Sequence, residues 1–277
     1  MVMAGSPPDL VIQQDFSALA KMGMFEPLDE WLDKKSLFDV SRDVFVKSLM
    51  DYSKLDDTLY TIPTLGVSYG LLIREDWLNK AGFQLSDLKN WDNLLTAAKA
   101  VTKDLNGDGR IDRWAFIYPT SLSRFAWRHA EIMAHSNAFR LEEVEENKEK
   151  YIELLNFIEA IQPYIPLGSI TMGLQEAFQA YAMEKIGGMI AGSFFVANVV
   201  TMATEPLQHT RALPFPLGPS ATNYRVPVNN AGYAVFKASS NKEAAWEILC
   251  YFTSKERVLG HAAMINLPAL CRKESQP

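Results

Sequence analysis

The chain has few of the residues from which disulfide frameworks and metal centres are built. Its 277 residues include only two cysteines, Cys250 and Cys271, and four histidines. Cys250 lies in a helical pattern and Cys271 near the C-terminus, so we expect two free thiols rather than a disulfide. His129 and His135 are six positions apart and do not share a helix face, as a metal-binding pair would. The sequence shows no spacing typical of a zinc site.

Sequence motifs of common enzymes are missing as well. The chain has no G-x-S-x-G, no G-x-x-x-x-G-K and no G-x-G-x-x-G. Two carboxylates placed across a cleft, as in a glycoside hydrolase, stay open as an alternative, because such a pair leaves no sequence motif. The sequence favours a protein without enzymatic activity.

Positive charge and long apolar segments are also scarce. The net charge of −6 argues against a nucleic-acid binder, which would carry a basic surface. The longest uncharged run, 186–204, contains three glycines, a serine and an asparagine, so it is a poor membrane helix. The first eight residues lack the charged and apolar regions of a signal peptide.

Strand and helix patterns alternate along the chain, which predicts an α/β fold. Strands are expected at 9–13, 114–118, 187–191, 211–216 and 232–237. Helices are expected at 16–22, 44–52, 91–103, 147–162, 174–183 and 242–253. The helix at 147–162 has the clearest apolar stripe, and Pro163 ends it.

An Asp-rich segment resembles a calcium loop. Its candidate metal-binding residues are Asp104, Asn106, Asp108, Arg110 (through its carbonyl) and Asp112, and Gly109 fills the sharp-turn position. The twelfth position is Ala115, where a bidentate glutamate is expected. Two interpretations stay open: a structural Ca²⁺ site, or a turn held by Asp and Asn side chains. No cofactor is otherwise expected.

The segment 60–78, YTIPTLGVSYGLLIREDWL, reads as a strand, a proline-marked bend and a second strand that runs into a helix. It resembles the crossover between the lobes of extracellular solute-binding proteins of sugar-type ABC transporters (family 1, similar to maltose-binding protein). Further stretches resemble the same family in the same order: 5–12 (GSPPDLVI), 23–32 (GMFEPLDEWL), 82–99, 183–195, 230–235 and 241–247. Each motif is weak alone, but their order and spacing are specific.

The resemblance implies an α/β fold of the type II periplasmic-binding-protein class, with two lobes, a hinge and an interlobe cleft. Lobe I would comprise 1–66 and 231–277, and lobe II would comprise 67–230. The family normally has a further strand and helix before the first strand seen here and more helices after 266–269. The resemblance therefore also implies a chain shortened at both ends, with lobe I incomplete.

The resemblance also nominates residues for the cleft. They are Gln13, Gln14, Asp15 and Phe16 after the first strand, Thr64, Ser68 and Tyr69 at the first crossover, Arg124 and Trp127 in an aromatic segment, Phe194 after a Gly-Ser pair, and Asn229 and Asn230 at the second crossover. Aromatic faces would pack on a sugar ring and polar groups would bond its hydroxyls. Alternatives stay open: a surface loop at 13–16, a core role for Trp127 and a turn at 229–230.

The family implies a partner and a location. The protein would be the ligand-binding component, which captures a small solute and delivers it to the membrane subunits of an ABC transporter. It would work as a periplasmic or extracellular monomer. The protein from which the chain derives could be lipid-anchored. Oligosaccharides, monosaccharides, polyols and glycerol phosphate all stay open as ligands. The acidic balance disfavours an anion, although Arg124 or Arg128 could bind one locally. A decayed paralogue that serves as an interaction module is the alternative.

Overall fold

The computed structural model describes residues 8–14, 16–38, 45, 47–118, 123–225 and 228–265, without the side chains of 65, 123–124, 228–229 and 261–265. The strands are β1 Leu10–Gln13, β2 Lys54–Leu55, β3 Thr58–Leu59, β4 Ile62–Arg74, β5 Gly188–Gly192, β6 Thr210–Leu213 and β7 Val228–Val235. The helices are α1 Ser17–Lys21, α2 Lys47–Tyr52, α3 Glu75–Lys80, α4 Trp91–Val101, α5 Ser123–Ser136, α6 Lys148–Ile161, α7 Leu174–Ala182, α8 Phe195–Val199, α9 Glu205–Gln208, α10 Lys242–Thr253 and α11 Lys255–Ile265.

Residue contacts divide the chain into two compact units. Unit 1 comprises Met1–Val67 and Val228–Pro277, and unit 2 comprises Ser68–Pro227. The first boundary falls inside β4, a single strand of 13 residues. The prediction of a bend at Pro63 is therefore wrong. Pro63 is the second residue of β4, and its fixed φ is compatible with an extended backbone near the start of a strand.

Unit 1 is built around β7. This strand pairs antiparallel with β1, from Leu10 opposite Val235 to Gln13 opposite Gly232, and it also neighbours β4. Successive side chains of a strand point to opposite faces. Val235 accordingly packs with apolar residues of α10, and Ala234 packs in a second cluster that contains the rings of 16, 25 and 236. Both faces of β7 are thus buried.

Unit 2 is built around the second part of β4. Tyr69 to Ile73 pair antiparallel with β5, and Leu71 to Arg74 pair antiparallel with β6. One face packs against α4, α5 and α6, and the other packs against α7 and α8. Gly70 is required where β4 meets β6, since a Cβ there would lie 2.4 Å from the carbonyl oxygen of Leu213. β5 and the adjoining part of β4 thus lie between two layers of helices.

The α/β prediction holds for most elements, with two differences. The segment 114–118 forms only parallel bridges, Trp114 to Ile186 and Ile117 to Met189, rather than a regular strand. The helices α5, α9 and α11 were not predicted from the sequence. None of the helices described here has the length and apolar character that crossing a membrane requires.

Candidate functional site

An aromatic cluster lies near the start of unit 2. Tyr69 on β4 is opposite Gly192, the last residue of β5, and the chain then turns into α8 through Ser193 and Phe194. The Tyr69 and Phe194 rings therefore meet edge to face, with centroids 6.1 Å apart and planes at 78°. We call Tyr69, Phe194 and the neighbouring Arg128 the aromatic cluster. Both rings are only partly buried, so each keeps surface that a ligand could cover.

Arg128 brings a charged group to this cluster. Its guanidinium carbon lies 5.5 Å from the centroid of the Tyr69 ring, within the range of a cation–π contact. The same guanidinium is hydrogen-bonded to the carboxylate of Glu131, one turn further along α5, and the two side chains are 23% and 20% exposed. Because each charge is matched by the other, the pair can bond hydroxyl groups without a strong preference for an ionic ligand.

Ser193 is a polar residue of this region that sequence reasoning did not select. Its backbone N–H donates to the carbonyl of Ser68 at 3.0 Å, which ties the end of β5 to the first residue of unit 2. Its Oγ is buried and has no hydrogen-bond partner among the described residues. In the sequence, the Gly-Ser pair before Phe194 indicated this region, but only the Phe194 ring was nominated for the site.

Two predicted residues lie on α5. Trp127 immediately precedes Arg128 and is 49% exposed, so the core role left open for it does not apply. Arg124 belongs to the first turn of α5, and its side chain lies outside the described part. Their membership of a ligand site stays a prediction.

His129 is one of the buried polar residues of α5. It is only 3% exposed. Burial lowers the pKa of His129 to about 4, against the raising effect of the Ile190 backbone and with a further lowering by the charge of Arg128. The imidazole is therefore neutral at pH 7. It also lies beside Tyr118, at 6.3 Å between ring centroids.

The predicted residues of unit 1 near β1 differ in their surroundings. Gln13 ends β1 and is partly exposed, and Gln14 is exposed. Asp15 lies outside the described residues. Phe16 is only 5% exposed and packs against Phe25 in the core. Its ring is therefore taken up by packing within unit 1, and among the described residues of this loop Gln13 and Gln14 have exposed surface.

The predicted crossover residues of unit 1 are mostly buried. Thr64 on β4 is 5% exposed and Asn230 on β7 is 4% exposed. The Asn230 amide donates to Ser53 Oγ at 3.0 Å, whereas its Oδ1 has no partner among the described residues. The side chain of Asn229 is not described. Asn230 thus lies on β7 and not in a turn, and a ligand role for these residues stays a prediction.

The Asp-rich loop is held by its own backbone. The Asp104 carboxylate accepts N–H bonds from Asn106, Gly107 and Gly109 at 3.2, 2.7 and 2.8 Å, and Asp112 accepts one from Leu105 at 2.8 Å. The N–H bond from Gly109 is the largest cause of the lowered pKa of Asp104. In the described part of the chain, no group of three or more His, Cys, Asp or Glu side chains could hold a metal ion. The structure therefore supports a turn, and calcium binding by Asp104, Asn106, Asp108, Arg110 and Asp112 has no support.

We expect the melting temperature to stay the same when calcium is replaced by a chelator, because the turn is closed without a metal. Replacing Asp104 by alanine should lower the melting temperature in both conditions. Folding lowers the pKa of Asp104. The stabilising effect of its carboxylate is therefore present above the pKa of an unfolded aspartate, and it is lost as the pH falls through the pKa of Asp104 in the folded protein. Thermal unfolding in calcium and in EDTA tests this, and a rise of several degrees with calcium would restore the metal interpretation.

Comparison with known proteins identifies the family. Residues 1–257 match the family described as bacterial extracellular solute-binding protein. No curated protein matches the sequence.

Solved structures show the same fold at low sequence identity. A solute-binding protein of an ABC transporter from Thermotoga lettingae TMO, bound to α-D-tagatose, has a TM-score of 0.81 at 17% identity over 99% of this chain and 70% of its own. One from Agrobacterium vitis S4, with D-mannitol, has a TM-score of 0.75 at 18% identity over 99% and 66%. The maltose/maltodextrin-binding domain MalE from Bdellovibrio bacteriovorus, with maltotriose, has a TM-score of 0.75 at 20% identity over 99% and 69%.

These matches confirm the predicted α/β fold of the two-lobe binding proteins. The chain spans 66% to 70% of the length of the three proteins, and its shortening at both ends stays a prediction. The family match covers the large majority of the residues, including both units. The chain belongs to the bacterial extracellular solute-binding protein family.

Proposed function

We propose that the chain captures a neutral sugar, oligosaccharide or polyol as the binding component of an ABC importer. The observation that carries the proposal is the aromatic cluster, Tyr69 and Phe194 with Arg128, at the first residues of unit 2. Sugar rings have apolar C–H faces and a rim of hydroxyls. Partly exposed aromatic rings suit the faces, and a paired arginine and carboxylate suit the hydroxyls.

A neutral ligand fits the charges of the cluster. The guanidinium of Arg128 is already bonded to Glu131, so an anionic ligand would have to break that pair or share the guanidinium with a carboxylate. A hydroxyl can accept from Arg128 and donate to Glu131 at the same time. The sugars and the polyol bound by the similar structures agree with this preference.

In this proposal the two units act as lobes, and a hinge closes them over the ligand. In unit 1, Gln13 and Gln14 have exposed surface for contacts of their own, whereas Thr64 and Asn230 are 5% and 4% exposed. The ligand favours the closed form to the extent that it binds that form more tightly. The transporter subunits would then recognise the closed form outside the cytoplasmic membrane. The protein would work as a monomer, without a cofactor and without making or breaking a bond in the ligand.

Thermal unfolding in the presence of single sugars tests this function. The panel is maltose, maltotriose, mannotriose, D-mannitol and D-tagatose, each at millimolar concentration. A ligand at about 100 times its Kd stabilises the folded state by about 2.7 kcal/mol, which raises the melting temperature by roughly 5 °C or more in a chain of this size. Recovered ligand should be chemically unchanged. Consumption of the ligand would indicate an enzyme, and no shift with any neutral carbohydrate would contradict the proposal.

A further inference from the structure

Glu131 is the counter-ion of the aromatic cluster. It lies three positions after Arg128 on α5, so the two side chains share a face of the helix. The guanidinium of Arg128 lies over the ring of Tyr69 and is hydrogen-bonded to the Glu131 carboxylate. The two side chains are only 23% and 20% exposed. The pair is therefore largely withdrawn from water, and each charge depends on the other for compensation.

Helix stability alone does not account for a largely buried pair at this position. Opposite charges three positions apart stabilise a helix only slightly, and withdrawing them from water offsets that gain. Lys148 and Glu145, near the start of α6, have the same spacing but are 66% and 78% exposed. Such an exposed pair avoids the desolvation cost that Arg128 and Glu131 bear. A role at the rings accounts for the position of the Arg128–Glu131 pair, whereas a role in α5 alone does not.

The pair sets the charge that a ligand meets at Tyr69. Among the described residues, Arg128 forms an ion pair only with Glu131. The adjacent His129 is neutral at pH 7 and adds no positive charge. Removing the carboxylate would therefore leave one uncompensated guanidinium beside the rings. Such a group attracts carboxylates and phosphates and can bond them through two N–H donors.

We propose that Glu131 is a specificity-determining residue of the sugar site: it neutralises Arg128, so that the site accepts neutral carbohydrates and excludes sugar acids. The inference rests on the proposed function, because it takes the aromatic cluster as the ligand site. It goes further by assigning the selection of ligand charge to one carboxylate. An acidic ligand at Tyr69 would approach a negative charge that water screens only in part, and this repulsion opposes its binding.

The test replaces the carboxylate by uncharged groups. Glu131→Gln keeps the shape of the side chain, and Glu131→Ala removes the group altogether. Glu75→Gln is the matched control, since it leaves a different arginine of unit 2, Arg211, without its carboxylate. Calorimetry at pH 7 measures the affinity for D-glucuronate, D-mannonate and maltobionate. We expect both Glu131 variants to bind at least one of these acids about tenfold more tightly than the wild type and Glu75→Gln do.

A measurement without sugar separates this inference from the proposed function. Inorganic phosphate is added to each protein while the Nε–Hε signal of Arg128 is followed by NMR. In Glu131→Gln the signal should shift until it saturates, because the guanidinium is free to bind the anion, and in the wild type it should not move over the same range. In the double variant Arg128→Gln/Glu131→Gln the gained affinity for sugar acids should disappear, because it depends on the same guanidinium.

The outcomes are distinct. Wild-type binding of a sugar acid as tight as that of the neutral sugars overturns the inference. So does a response of Arg128 to phosphate that is the same in the wild type and in Glu131→Gln. If the wild type binds a neutral sugar but both Glu131 variants gain no affinity for sugar acids, the inference is wrong although the function holds. If the wild type binds no panel sugar while phosphate binds at Arg128 in Glu131→Gln alone, the proposed function fails and the neutralising role of Glu131 stands.

Discussion

Replacing Asp76 by alanine is expected to lower the free energy of unfolding of unit 2 by about 3 kcal/mol. The guanidinium of Arg74 is 2% exposed, and its Nε and Nη2 donate to the two oxygens of Asp76 at 2.8 and 2.9 Å. Without Asp76 a buried positive charge loses its bidentate partner. Removing one partner of a buried ion pair leaves an unpaired charge that stays desolvated. The resulting loss of stability is therefore much larger than the stability that the ion pair adds relative to a pair of apolar side chains.

The remaining neighbours of Arg74 compensate only in part. Its Nη1 lies 3.8 Å from the carboxylate of Glu184 and has no hydrogen-bond partner among the described residues. Its guanidinium carbon lies 4.9 Å from the centroid of the Trp77 ring. These contacts place the expected loss at the lower end of the range for a broken buried pair.

Glu75→Ala is the matched control. Glu75 is also in the first turn of α3 and also pairs with an arginine, Arg211, at 3.0 Å, but these two side chains are 30% and 47% exposed. Exposed pairs contribute about 0–1 kcal/mol. Denaturant unfolding of both variants measures the difference, and equal losses for Asp76→Ala and Glu75→Ala would contradict the role given to burial.

The same ion pair has a pH signature. Burial raises the pKa of Asp76, but the hydrogen bond and charge of Arg74 outweigh burial, so the pKa is lowered overall. A carboxyl with a lowered folded pKa stabilises the protein above the pKa of unfolded aspartate and loses that effect as the pH falls through the folded value. The acid-side decline in stability should therefore be shallower in Asp76→Asn than in the wild type.

Loss of either ring of the aromatic cluster is expected to weaken sugar binding about tenfold, which corresponds to about 1.4 kcal/mol. Tyr69→Ala removes a face for the sugar and the partner of Arg128, and Phe194→Ala removes the second ring. Because the two rings contact each other, the losses in the double variant should not simply add. Calorimetric titration with the sugar found in the panel measures these affinities.

Tyr224→Ala provides the control for removing a tyrosine from unit 2. Tyr224 is 48% exposed and its hydroxyl donates to the carbonyl of Lys89. Its affinity for the sugar should equal that of the wild type. If folded Tyr69→Ala and Phe194→Ala also bind like the wild type, the ligand lies elsewhere and the site assignment is wrong.

The elements predicted best from the sequence are those with one uninterrupted apolar stripe. The helix at 242–253 matches α10 at both ends, and Asn90 caps α4 by accepting from the backbone of Asn93. The helix α5 was missed because its buried side is not uniformly apolar. His129 and Ser136 are 3% and 1% exposed, so polar residues interrupt the periodicity on which a prediction from sequence depends.

The candidate site was only partly accessible from sequence. Tyr69 and Phe194 were nominated separately by family resemblance, but their contact depends on the register of β4 and β5. Residues so far apart in the chain are brought together by strand pairing, which a single sequence does not specify. Arg128 was considered only as a local anion site, since nothing in the sequence indicated its contacts with Tyr69 and Glu131. Phe16 was nominated for the cleft but packs in the core of unit 1. A single sequence does not distinguish an aromatic ring that lines a site from one that is buried beside a loop.

Isothermal titration calorimetry of the wild-type chain with the five panel sugars, followed by recovery of the ligand, shows whether the protein binds a neutral carbohydrate and leaves it unaltered. We expect saturable binding of one sugar per chain, with the ligand recovered intact and the affinity weakened in the Tyr69→Ala and Phe194→Ala variants. Absence of binding heat for every sugar, or recovery of a chemically altered ligand, would contradict this expectation.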